Sequence, residues 1–139
     1  MTPETAVLLL DTLGELRGCY AAADVAFVGG SLSPHYGGHS PVEPAVLGLP
    51  VLMGPHRLHF QEEAAALEAA GGLVTVADAA ELAARVVAWL RRPGQRRRVG
   101  AQALAVVEAN QGAASRALAW FESRCPGVLG AGEVSATTD

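Results

Sequence analysis

Gly37-Gly38-His39-Ser40-Pro41-Val42-Glu43-Pro44 is the stretch of this 139-residue chain whose residue types and spacing could do chemistry. Ser40 suits a helix N-cap, Pro41 the first helical position and Glu43 the third, so Ser-x-x-Glu reads as a capping box. The free N–H groups of such a helix end, together with its dipole, would hold an anion. The two preceding glycines would let a ligand come close to the backbone. Two readings stay open on these residues alone. Either Glu43 bonds the Ser40 N–H and the box is wholly structural, or the turn cradles a phosphate.

The flanking elements alternate short β runs with helical stretches. Val7-Leu8-Leu9-Leu10 reads as a buried strand ending at Asp11-Thr12, followed by a loop and short helix to Ala23 with Leu16, Cys19 and Tyr20 on one face. Val25–Val28 is a second strand, broken by Gly29-Gly30. A polar loop from Ser31 then leads to the capped helix, which stops at Gly48. Pro50–Met53 is a third strand, closed by Gly54-Pro55. Phe60–Ala70 is a helix with Gly71-Gly72 as its C-cap, and Leu73–Val76 is a fourth strand. Asp78 or Ala79 opens an amphipathic helix to about Arg92. A last helical region runs from Gly94 to Arg124, with a break near Gly112. Residues 126–139 have no periodicity and are expected to be a disordered tail behind a domain of residues 1–125.

Strand-helix-strand repetition at this spacing means parallel strands with crossover helices, an α/β Rossmann-like sheet. Ligands of such sheets sit outside the carboxyl ends of the strands. Asp11–Leu16, Gly29–Ser40 and Gly54–His59 all fall at that rim. Four strands make a thin sheet for a domain of this kind, so one or two strands are expected to be missing on the N-terminal side.

Composition narrows the function classes. Half the residues are hydrophobic and 17% are charged, which suits one globular α/β domain. A net charge of −4 argues against nucleic acid as a partner. All ten basic residues are arginine, and five of them, Arg91, Arg92, Arg96, Arg97 and Arg98, cluster around Pro93-Gly94. A solvated junction between two helices accounts for them, and an anionic partner surface is the lesser reading. Cys19 and Cys125 lie far apart and suit reduced thiols in a cytoplasmic protein. His56 and His59 have no third ligand nearby, so no metal site is expected.

Four motifs, in order, carry a resemblance: Leu10-Asp11-Thr12-Leu13-Gly14-Glu15-Leu16, the run from Ala22 to Leu32, Gly37 to Ala45, and Gly48 to His56. Together they closely resemble the C-terminal half of the 3-deoxy-D-manno-octulosonic acid (Kdo) transferases, GT-B glycosyltransferases of lipopolysaccharide assembly. The similarity runs from about Val7 to Phe121. It implies transfer of Kdo from CMP-Kdo to lipid A precursor at the cytoplasmic face of the inner membrane, with no metal or other cofactor. By the same resemblance, Gly14 and Glu15 lie near the cytidine, Gly30, Ser31, Gly37, Gly38, His39 and Ser40 face the phosphate, and Glu43 accepts from the ribose hydroxyls. The family usually has Asn where this chain has Ser40.

The resemblance finds no counterpart here for the family's first C-terminal βα unit or for the N-terminal domain that supplies the catalytic base and binds the lipid. No catalytic residue is assigned, and the chain alone is expected to be catalytically incomplete. His39 or Arg57 could help hold a leaving phosphate, although His39 equally suits a loop carbonyl and Arg57 a solvated loop. Two other functions remain in view: a UDP-sugar-dependent GT-B transferase or epimerase, and a non-catalytic truncated module. An uncovered sheet edge would favour self-association.

Overall fold

The computed structural model describes residues 7–112 and Arg124. The expected boundary at 125 and the tail 126–139 lie outside the described residues. The chain divides into two units, Met1–Val107 and Glu108–Asp139, and the fold described here is that of the first.

Three short strands, β1 (Ala26–Val28), β2 (Val51–Met53) and β3 (Leu73–Thr75), pair in parallel in the order β1-β2-β3. Ala26, Val51 and Leu73 stand in register, as do Val28, Met53 and Thr75. The helices are α1 (Leu16–Ala21), α2 (Val42–Ala45), α3 (Gln61–Ala69), α4 (Ala79–Arg91) and α5 (Pro93–Gln111).

The two-residue period of the strands sorts the core onto both faces of the sheet. Val28, Val51, Met53 and Leu73 meet Ala45 of α2, Ala64 and Leu67 of α3 and Ala103 of α5. On the opposite face Leu52 packs with Val76 and with Trp89 of α4, joined by Phe27, Val74, Leu82 and Val86. Helices on both faces of a parallel sheet make the Rossmann-like arrangement expected from the alternating pattern.

Local signals hold where they compete with nothing. Asp78 caps α4, its Oδ1 accepting from the Glu81 N–H at 2.8 Å, while the Glu81 carboxylate accepts from the Ala77 N–H at 2.9 Å. Past α3 the Gly71 and Gly72 N–H groups donate to the Glu68 and Leu67 carbonyls, a Schellman ending. Pro93 opens α5, where its missing N–H costs nothing. The arginine junction is anchored by Arg96, whose guanidinium lies 2.7 Å from the Asp24 carboxylate ahead of β1.

One expected strand is absent. Val7–Leu10 has no regular structure, and Val7, Leu8 and Leu9 are 85%, 60% and 82% exposed. A strand exists only as part of a ladder, and among the described residues this run pairs with nothing. The sheet therefore has three described strands rather than four. The helix expected from Ser40 to Gly48 is also shorter: α2 is a single turn, followed by a hydrogen-bonded turn from Val46 to Gly48. Pro41 and Pro44 both lack an N–H, which limits the ladder that this segment can build.

Candidate functional site

Two adjoining hollows open at the carboxyl end of β1, with volumes of about 550 and 390 Å³. Gly14, Leu16, Arg17, Tyr20, Glu43 and Val46 line the larger. The smaller one has Gly29, His39, Ser40 and Phe60 on its walls and shares Leu16, Tyr20 and Glu43 with the larger. Glu43 thus stands where the two meet, at the position in the sheet where Rossmann-like domains take their ligands.

The capping box at this corner does not close. Ser40 Oγ accepts from the Val42 N–H at 3.3 Å, but α2 has no side-chain cap on the Pro41 that precedes it. The Glu43 carboxylate makes no hydrogen bond and no ion pair among the described residues. An exposed carboxylate with its lone pairs unused can take two O–H donors at once, as a vicinal diol offers. Ser40, with its oxygen on the Val42 N–H, keeps its own O–H to donate.

The glycine turn before it serves the protein. Gly37 and Gly38 have φ of +68° and +74°, which glycine adopts without strain. A Cβ on Gly37 would stand 2.7 Å from Leu58 Cβ, and one on Gly38 would stand 2.9 Å from Met53 Cε. The space that these glycines open is thus filled by neighbouring side chains. Gly14 and Gly29, by contrast, face open space within the two hollows.

Ser31 is wholly buried between two strand ends. Its Oγ donates to the Val28 carbonyl at 2.5 Å and accepts from the Gly54 N–H at 2.8 Å. The Ser31 carbonyl in turn accepts from the His56 N–H at 3.0 Å. This residue ties the loop after β1 to the loop after β2. Gly30 (φ +75°) begins the turn that it anchors, packed against Tyr36.

Of the residues singled out from sequence, His39, Ser40 and Glu43 share a wall and Gly14 joins them across Glu43. Glu15 lies just outside, as the N-cap of α1, its carboxylate accepting from the Thr12 hydroxyl. Ser31, Gly37 and Gly38 hold the loop from behind. Gly29, in the loop expected at the ligand rim, lines the smaller hollow, whereas Tyr20 and Phe60 line the hollows without having been singled out for the site. The i, i+4 spacing of Leu16 and Tyr20 on one face of α1 was the available signal for the first.

Arg57 is neither a solvated loop residue nor free for a phosphate. Its side chain is 12% exposed and pairs with Glu68 at 3.0 Å. It also donates to the Gly54 carbonyl at 3.3 Å and to the Thr75 hydroxyl. Thr75 Oγ1 donates to Glu68 at 2.6 Å, and this bond, with Arg57 behind it, pulls the Glu68 carboxyl below its ordinary value although burial opposes the shift. The network binds the loop after β2 to α3 and β3. In the cleft itself, burial and then the Glu43 charge push the Tyr20 phenol above its ordinary value.

The fold is that of a Rossmann-like unit and matches the C-terminal domain of a GT-B glycosyltransferase. The particular relatives are uniform. The 3-deoxy-D-manno-octulosonic acid transferase of Haemophilus influenzae is 40% identical over 115 residues, which is 82% of this chain and 27% of that protein. The transferase of the same name from Bordetella pertussis is 40% identical over 116 residues, 84% of this chain and 27% of the relative. The crystal structure of the C-terminal CMP-Kdo binding domain of WaaA from Acinetobacter baumannii superposes with a TM-score of 0.67 at 35% identity, covering 70% of this chain and 51% of that one. No protein-family model matches the sequence. The chain is therefore a relative of the Kdo transferases, corresponding to their C-terminal domain, and it spans about a quarter of the length of these two curated relatives.

Proposed function

We propose that the chain is the donor-holding part of a Kdo transferase and that CMP-Kdo occupies the two hollows around Glu43. In this reading the Glu43 carboxylate accepts hydrogen bonds from the ribose hydroxyls, and the Gly14–Glu15 turn borders the cytosine. The Ser40 hydroxyl, His39 and the backbone at Gly29 and Gly30 face the phosphate. Ser31, Gly37 and Gly38 set the shape of that loop. The observation that carries the reading is the unpaired Glu43 carboxylate in the cleft at the end of β1, in a chain whose similar structure is a CMP-Kdo binding domain.

The chemistry follows from what such a site can supply. Transfer of Kdo breaks the bond to the CMP phosphate, so donors aimed at that phosphate stabilise the leaving group. The attacking hydroxyl of the acceptor, proposed to be a lipid A precursor, must also lose a proton. No described residue is assigned to that second task. We place the base and the lipid-binding surface in the part of the relatives that this chain does not align with, and expect the chain alone to bind donor without turning it over. No helix among the described residues is long and apolar enough to cross a membrane.

The test is calorimetric titration of CMP into the wild-type chain and into Glu43→Ala. Loss of this exposed carboxylate should weaken binding about tenfold to a hundredfold, the factor that about 1.5–3 kcal/mol for one bond to a charged group gives. Unchanged affinity in a folded variant would remove Glu43 from the site. A preference for UDP-GlcNAc over CMP would replace the Kdo reading with the UDP-sugar one.

A further inference from the structure

Tyr20 is the polar side chain that α1 brings to both hollows. It lines both hollows, as do only Leu16 and Glu43. The rest of α1 is exposed, whereas Tyr20 is half-buried, and no residue of the helix is fully buried. Its ring is therefore held against the cleft, where it joins Leu16 and Val46 in an apolar wall. The Tyr20 hydroxyl makes no hydrogen bond among the described residues, and neither does the Glu43 carboxylate beside it.

Those two groups are complementary. An ionised carboxylate only accepts, whereas a phenol can donate. One sugar hydroxyl placed between them can donate to Glu43 and accept from Tyr20 in a single chain, and each bond of such a chain polarises the next. Tyr20 can play this part only while it keeps its proton. Burial and the nearby Glu43 charge favour the neutral phenol, and Arg17 is the cationic residue on the same walls.

We infer that Tyr20 determines specificity in the cleft: its hydroxyl donates to a ribose hydroxyl of the bound nucleotide, and that same hydroxyl donates to Glu43. The inference rests on the donor-site reading above. It makes the site selective for ribonucleotides over deoxyribonucleotides, and it gives α1 a role in the site.

Titration of CMP, 2′-deoxy-CMP and 3′-deoxy-CMP into wild type and Tyr20→Phe tests it. With CMP, Tyr20→Phe should weaken binding about threefold to tenfold, the range of one net hydrogen bond. With the analogue lacking the bridging hydroxyl, wild type and Tyr20→Phe should bind equally. A second measurement avoids any dependence on the variant. The chain has two tyrosines, Tyr20 and Tyr36, and Tyr36 is 78% exposed and lines neither hollow. In wild type labelled at tyrosine Cζ, saturation with CMP should move the Tyr20 signal and leave that of Tyr36 in place. If wild type binds CMP but Tyr20→Phe matches it on all three nucleotides, or the Tyr20 signal stays still, Tyr20 does not read the sugar. If wild type binds no CMP at all, the donor-site reading itself fails.

Discussion

Gly54 and Ser31 are locked together across two strand ends: the Gly54 N–H donates to the buried Ser31 hydroxyl at 2.8 Å, and a Cβ on Gly54 would run into the Ser31 carbonyl. Ser31→Ala would leave the Gly54 N–H and the Val28 carbonyl without this partner. The cost should be about 1–3 kcal/mol, read as a lower urea midpoint at unchanged slope. Gly54→Ala should cost more, because backbone rather than a flexible side chain must move. If Ser31→Ala unfolds like wild type yet loses CMP, the residue is a ligand contact and not a tie.

Acid should loosen the loop after β2. Glu68 titrates below its ordinary 4.5 in the folded chain because Thr75 and Arg57 hold the charged form. A depressed folded value means that its contribution is fully present above 4.5 and fades as pH falls through the lower folded value. Glu68 is 44% exposed, so solvent screens the pair and its worth is about 1 kcal/mol or less. Glu68→Gln should lower stability at pH 7 and flatten the acid limb of the stability curve below 4.5. An acid limb identical to that of wild type would count against the network.

Val7, Leu8, Leu9 and Leu13 leave an apolar segment in water, Leu13 fully so. We expect the isolated chain to self-associate through this segment and through the open β1 edge of the sheet. Sedimentation velocity should show a concentration-dependent increase in mass, reduced in the double variant Leu9→Ser, Leu13→Ser. A wild-type chain that stays monomeric at high concentration would contradict the expectation.

Much of this fold can be read from the sequence where local chemistry and packing agree. Val51-Leu52-Met53 is apolar on both faces because helices cover both, and Asp78 caps α4 without competition. Val7–Leu10 fails for a reason no local pattern reveals: it has strand composition but no ladder to join. The capping box fails because Pro44 has no N–H to give the Ser40 carbonyl, so α2 starts one residue later, and Glu43 is left without a hydrogen bond or ion pair among the described residues. His39, Ser40 and Glu43 are close in sequence and so could be grouped from it. Tyr20 enters from a different element, and the sequestering of Arg57 depends on Glu68 and Thr75, distant residues that only the fold brings to it.

A donor site for a cytidine nucleotide is tested most directly by titration of CMP against UMP into the wild-type chain. Such a site should show saturable 1:1 binding of CMP that persists in a metal chelator, with UMP at least about tenfold weaker, the factor that 1.4 kcal/mol of base discrimination gives. Equal binding of the two nucleotides, or binding of neither, would contradict it.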